Sequence, residues 1–258
     1  MVKGNALCLY LFTTMSWCQS TFRMPLGFFG FMVLMPTLCM LLSTRDVLAT
    51  TVVAARFQDG VVIGADSRTS QGNFVANRLT DKITPIYPGI FMARSGSSAD
   101  SQFVAGVVEA KLEAYRTEFG RAPTVRVAAT ISRKLCYNNK DQLSAGLICA
   151  GWDPREGGSV FSIPQGGSLL EQPFAITGSG SVYALGYCDD HLRPGLGRDE
   201  CVLHVQKALE MAVSRDGASG GLIRMCVATG AGVERWTVAP DLLQQRRETG
   251  RASGDGGG

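Results

Sequence analysis

Histidine is almost missing from this chain: His191 and His204 are the two among 258 residues. Hydrolases that use an imidazole base, and zinc sites built on imidazole, therefore have few residues to draw on. Cys201 and His204 form a CxxH, but no second such pair accompanies it and no cysteine pair has CxxC spacing, so no metal and no cofactor is expected. Excess charge is also missing. The formal net charge is +3, too small to argue for nucleic acid or an anionic membrane surface, and no Lys/Arg cluster interleaves with aromatics. Neither class of partner is expected. A disulfide framework is disfavoured in turn. Cys8, Cys18 and Cys39 precede the body, which keeps an odd five, Cys136, Cys149, Cys188, Cys201 and Cys226, several inside apolar runs. They read as buried free thiols of a reducing compartment.

What is present divides into three parts. Residues 1–49 form a leader, 50–239 a folded body, and 240–258 a polar, Gly-rich tail expected to be disordered. Within the leader, 24–44 reads "MPLGFFGFMVLMPTLCMLLST" without a charge. Three readings fit it: a removable pro-segment, a signal or membrane segment with Val47-Leu48-Ala49 as a small-residue cleavage site, or sequence from an incorrect start.

The body shows no repeats and alternates strand and helix patterns. Residues 50–57 alternate, Asp59-Gly60 supplies a hairpin turn, and "VVIGA" follows as a buried strand. "GIFMARSG" predicts another strand. Apolar positions from Phe103 to Phe119 recur at helical spacing before Gly120, and a second helix is predicted over about 124–137. "SAGLICAGW", "SVFSIP" and "FAITGSG" read as strands, 181–187 and 199–215 as helices, and "GLIRMCVA" and "VERWTV" as closing strands. The order is that of an α+β protein with helices outside stacked antiparallel sheets.

Two glycine-rich stretches fail as motifs. "GSGSVYALG" has Tyr183 where a dinucleotide loop needs its third glycine, so a turn before a helix is the better reading. "GASGG" matches a GxSxG elbow around Ser219, yet a helix precedes it, a strand follows, and both histidines lie upstream. With no histidine in place, a hydroxyl can still be activated by a free α-amino group, whose pKa is about 7.7–8.0. An N-terminal threonine carries nucleophile and base together. Thr50-Thr51, opening the first strand, would supply one if the leader were removed before Thr50; as strand residues, threonines are also ordinary.

The surrounding residues weigh on that choice. "TTVVAARFQDGVVIGADSRTSQGNFVANRLTDKITPI", "RSGSSAD", "AGWDP", "GSGS" and "SRDGASGG" closely resemble the proteasome beta subunits, in register from about Thr50 to Val238. "ANRLTDK", "RSGSSAD" and "AGWDPREGG" resemble the beta-1 type, which cleaves after acidic residues. The resemblance implies a threonine endopeptidase with the N-terminal-nucleophile hydrolase fold, a four-layer α-β-β-α sandwich of two antiparallel sheets. It implies Thr50 as nucleophile, Asp66 and Lys82 beside it, Ser179, Asp216 and Ser219 around its amine, and the Gly96 N–H for the oxyanion. Arg94, Thr69, Thr80 and Gln102 match the pocket for the residue before the cleaved bond. The implied partners are other alpha and beta subunits in stacked seven-membered rings, with unfolded polypeptides as substrates, in cytoplasm and nucleus. One departure stands out: the family has glycine before its threonine, and this chain has Ala49. An unprocessed, catalytically silent structural beta subunit is the alternative; a secreted or membrane-tethered binding protein, suggested by the leader alone, is a third.

Overall fold

Strand β1 (Val52–Phe57) alternates in destination rather than in polarity. In the computed structural model, which describes residues 50–71 and 74–239, five of its six residues are buried. Val53, Ala55 and Phe57 pack under helices, while Val52 and Ala54 face a second sheet. Successive side chains of a strand point to opposite faces, so both faces are covered here. The turn after β1 is Gln58-Asp59, one residue earlier than the expected Asp59-Gly60. Gly60 instead opens β2 (Gly60–Asp66) opposite Phe57. A Cβ at Gly60 would run into the Ala228 carbonyl, so the glycine serves close strand approach rather than the turn.

The remaining strands are β3 (Thr69–Gln71), β4 (Phe74–Asn77), β5 (Ile83–Tyr87), β6 (Ile90–Gly96), β7 (Ala145–Asp153), β8 (Gly157–Ile163), β9 (Leu170–Glu171), β10 (Phe174–Thr177), β11 (Ile223–Thr229) and β12 (Gly232–Val238). Among the described residues they make two antiparallel five-stranded sheets, ordered β10-β1-β2-β11-β12 and β5-β6-β7-β8-β9, and the hairpin β3-β4. Pro85 sits in β5, an edge strand, where a missing N–H is tolerated.

Four helices complete the described fold: α1 (Ser98–Phe119), α2 (Val125–Asn138), α3 (Ser181–His191) and α4 (Arg198–Arg215). Ser97 caps α1 by accepting the Asp100 N–H, and Gly120 ends it in the left-handed conformation at φ 62°. Thr124 caps α2 rather than lying within it, accepting the Val127 N–H.

Three apolar layers explain the stacking. Met92, Leu147, Cys149 and Phe161 pack against Val104, Val108, Leu112 and Ala129 of α1 and α2. Ile63, Ala65, Phe91, Ile148 and Cys226 fill the space between the sheets. Val53, Val62, Met225 and Val227 meet Ala184, Val205, Leu209 and Ala212 of α3 and α4. Each large side chain buried in this way contributes about 1.5–3 kcal/mol. The layers run helix, sheet, sheet, helix, which is the N-terminal-nucleophile hydrolase sandwich. The five body cysteines are free and buried, and burial pushes the thiols of Cys149, Cys188, Cys201 and Cys226 up to about 12. Cys201 packs in the helix-facing core while His204 bonds the Tyr187 hydroxyl at 2.8 Å. No helix among the described residues is long and apolar enough to cross a membrane. The leader with its apolar stretch, Ala49, Cys8, Cys18, Cys39 and the tail after Ala239 lie outside the described residues.

Candidate active site

Strand ends converge at one edge of the sandwich. β1 begins there, β2 ends there at Asp66, β10 ends at Thr177 opposite Val52, and β11 begins at Ile223 opposite Asp66. Asp66 is fully buried and gathers four donors. Its Oδ1 accepts Lys82 Nζ at 2.7 Å and the Thr51 N–H at 2.9 Å; its Oδ2 accepts the N–H groups of Gly220 at 3.0 Å and Arg68 at 3.2 Å. Lys82, 4% exposed, also donates to the Arg68 carbonyl at 2.6 Å. The pair is therefore an enclosed salt bridge, not the exposed ion pair that a sequence equally allows. Burial lowers the Lys82 pKa below its ordinary value, outweighing the attraction of Asp66, and the Arg94 charge adds to the lowering.

A second chain of bonds reaches the same threonine pair from the other side. The Thr50 N–H donates to Ser179 Oγ at 3.2 Å, and Ser179 Oγ donates to Asp216 Oδ2 at 2.7 Å. Ser219 Oγ donates to the same oxygen at 2.6 Å. Burial alone would raise the Asp216 carboxyl, but the hydroxyls of Ser219 and Ser179 and two backbone N–H groups outweigh it and hold it below its ordinary value. Asp216 is thus held ionised, an acceptor only. With residue 49 attached, the Thr50 nitrogen is an amide; once freed it would be an amine against Ser179.

Glycines make room for this convergence. Gly178, at φ 98°, lies where a Cβ would strike the Thr50 carbonyl. Gly96 ends β6 at φ 88°, and a Cβ there would stand 2.5 Å from the Ser144 carbonyl oxygen. It is more than a turn glycine, since both its conformation and its space exclude a side chain. Its neighbour Ser95 bonds Thr177 Oγ1 at 3.0 Å, which ties this strand end to the one that β1 pairs with.

The expected pocket residues divide. Arg94 is buried, with its guanidinium donating to Thr84 Oγ1 at 2.7 Å, the Asp81 carbonyl at 2.7 Å and Ser101 Oγ at 3.4 Å. Desolvation lowers its pKa, against the pull of Asp81. Thr69 and Thr80 share a hydroxyl bond of 2.9 Å across the loop. Gln102 is exposed on α1 and bonds Ser98 one turn back. Sequence reasoning missed Arg68, whose N–H and carbonyl serve Asp66 and Lys82, and Gly220, whose N–H serves Asp66. The doubled glycine after Ser219 was the available signal. A Cβ at Gly220 would meet the Arg68 guanidinium.

Comparison with known proteins gives one consistent result. The family model described as "Proteasome subunit" matches residues 47–228. The "Proteasome subunit beta type-6" of Dictyostelium discoideum is 50% identical over 196 residues, 76% of this chain and 92% of that protein. The "Proteasome subunit beta type-1" of Saccharomyces cerevisiae is 46% identical over 198 residues, 77% of this chain and 92% of that protein. The "Proteasome subunit beta type-9" of Bos taurus is 44% identical over 194 residues, 75% of this chain and 88% of that protein.

Proposed function

The chain belongs to the proteasome subunit family, among its beta members, and from that premise we propose that it is a threonine endopeptidase subunit of the core particle. In this reading residues 1–49 are a propeptide, its removal exposes Thr50, and the enzyme cleaves after acidic residues in the manner of the beta-1 type. The carrying observation is the double enclosure of the threonine pair, by Asp66–Lys82 on one side and Ser179–Asp216–Ser219 on the other.

The chemistry follows from that geometry. A freed amine that donates one N–H to Ser179 keeps its lone pair for the Thr50 hydroxyl, which it deprotonates as the oxygen attacks the scissile carbonyl. The Lys82 cation disfavours a second positive charge nearby and so keeps the amine a free base. Asp66 holds Lys82 in place. The Gly96 N–H then stabilises the tetrahedral oxyanion, a contribution of about 3–4 kcal/mol where such donors have been removed elsewhere. Collapse expels the amine half of the substrate, which takes up the proton held by the Thr50 amine, and leaves an ester on Thr50. The amine, a free base again, takes a proton from the water that hydrolyses this ester and returns it to the Thr50 oxygen. Arg94, with Thr69, Thr80 and Gln102 as companions, is assigned to the pocket for an acidic side chain. A desolvated guanidinium pairs strongly with a carboxylate. We assign the subunit to stacked rings of alpha and beta subunits, acting on unfolded polypeptides in cytoplasm and nucleus.

One observation favours a second reading. Ala49 stands where the family has glycine, which suits an unprocessed structural subunit. Mass spectrometry of the chain from native particles decides between them. A peptide beginning "TTVVAAR", together with loss of activity in Thr50→Ala, is expected; an intact 49–50 bond in mature particles would remove the catalytic reading.

A further inference from the structure

The Thr51 side chain is fully buried and joins the two halves of the site. Its N–H donates to Asp66 at 2.9 Å, its carbonyl accepts the Asp66 N–H at 3.1 Å, and its hydroxyl lies 2.8 Å from Ser219 Oγ. The direction of that last bond can be worked out. Ser219 has one proton and gives it to Asp216 at 2.6 Å, so it must receive the proton of Thr51. Ser179 likewise gives its proton to Asp216 at 2.7 Å rather than to the Thr50 carbonyl at 3.3 Å. The order runs Thr51 to Ser219 to Asp216 from one side, and Thr50 nitrogen to Ser179 to Asp216 from the other. Gly180 is built around this hydroxyl, since any Cβ there would collide with Thr51 Oγ1.

We propose that Thr51 is a positioning residue for the peptidase reaction, its hydroxyl orienting Ser219 and Asp216 so that Ser179 holds the Thr50 nitrogen in the base-competent direction. This rests on the threonine-peptidase reading. Bonds in such a chain polarise one another, so a hydroxyl donated to Ser219 strengthens the one that Ser219 donates to Asp216. Without it the carboxylate beside the amine keeps more of its charge, and the amine holds its proton to higher pH.

The test uses native particles carrying the full chain and a fluorogenic peptide with an acidic residue before the cleaved bond. Thr51→Val keeps the shape and removes the hydroxyl. The expected result is a kcat about ten-fold lower, the scale of one hydrogen bond in a transition state, with KM unchanged and the acid limb of the pH profile moved upward. Thr51→Ser restores the donor, and with it kcat and the pH profile. If the valine chain fails to enter the particle, Thr51→Ala, smaller than the native residue, is read by the same criteria. A valine or alanine variant with unaltered kcat and pH profile overturns the proposal, as does a serine variant as impaired as valine. An unmodified particle without Thr50-dependent cleavage instead ends the underlying peptidase reading, and this proposal with it.

Discussion

Replacing Lys82 by Met isolates the enclosed salt bridge. The substitution keeps much of the length of the side chain and removes its charge, leaving Asp66 buried without its cation. At 2.7 Å the attraction amounts to about 6 kcal/mol at the effective dielectric of protein sites. Much of that offsets the desolvation of both groups, and breaking one side of such a pair costs about 3–5 kcal/mol. Asp66 would keep the N–H groups of Thr51, Arg68 and Gly220, which places the expected loss near the lower end, about 3 kcal/mol. For a domain of this size that lowers Tm by about 6–12 °C. Melting of assembled material at matched concentration reads it, because subunit association contributes to apparent stability. Asp66→Asn combined with Lys82→Met removes both charges and should recover part of the stability but none of the peptidase activity. The pH dependence has a definite sign. A lysine whose folded pKa is lowered binds fewer protons folded than unfolded, so its contribution is present above 10.5 and is lost as pH falls through the folded value. The methionine variant should lack that slope. Unchanged melting in Lys82→Met, or a double variant as unstable as the single, would refute the reasoning.

Two further outcomes are expected. Gly96→Ala forces a side chain into φ 88° with its Cβ 2.5 Å from the Ser144 oxygen. About 1–2 kcal/mol of backbone strain comes on top of that clash with a backbone atom, so less of the chain should enter particles, and kcat per assembled particle should be at least about ten-fold lower; full activity would remove Gly96 from its assigned role. Arg94→Met should abolish cleavage after Glu or Asp while leaving Thr50 reactive toward a small electrophile. Retained acidic preference in a comparative peptide panel would make Arg94 a scaffold residue for Thr84, Ser101 and the Asp81 carbonyl.

The elements most legible in the sequence were those whose pattern has one physical cause. The span from Phe103 to Gly120 carries a helical period and a left-handed stop, and α1 ends there. β1 illustrates the opposite case. Alternation suggests one wet face, but a strand between a helical layer and a second sheet has none, and residue type cannot say which apolar face meets which layer. The misplaced turn has a similar origin. Asp-Gly is a strong hairpin signal, yet Gly60 is required where β2 approaches the Ala228 carbonyl, and a Cβ on Gly158 across the sheets would strike Gly60 itself. Such demands come from partners far along the chain. The hairpin β3-β4 and the two-residue β9 went unseen because segments so short carry no measurable period.

The site shows where pattern stops and chemistry takes over. Its members lie 129 and 168 residues apart in the contacts that matter, Thr50 with Ser179 and Thr51 with Ser219, so no local spacing announces them. Family resemblance brings Asp66, Lys82 and Asp216 together by name, because the motifs that contain them match residue by residue. It leaves the doubled threonine half explained, since one nucleophile needs one hydroxyl. The geometry supplies the other half. The first threonine offers its nitrogen to Ser179, while the second turns its hydroxyl inward to Ser219 and its N–H to Asp66. A residue with no β-hydroxyl at 51 would leave Ser219 an acceptor with nothing to accept, in a site where burial makes an unmet bond costly.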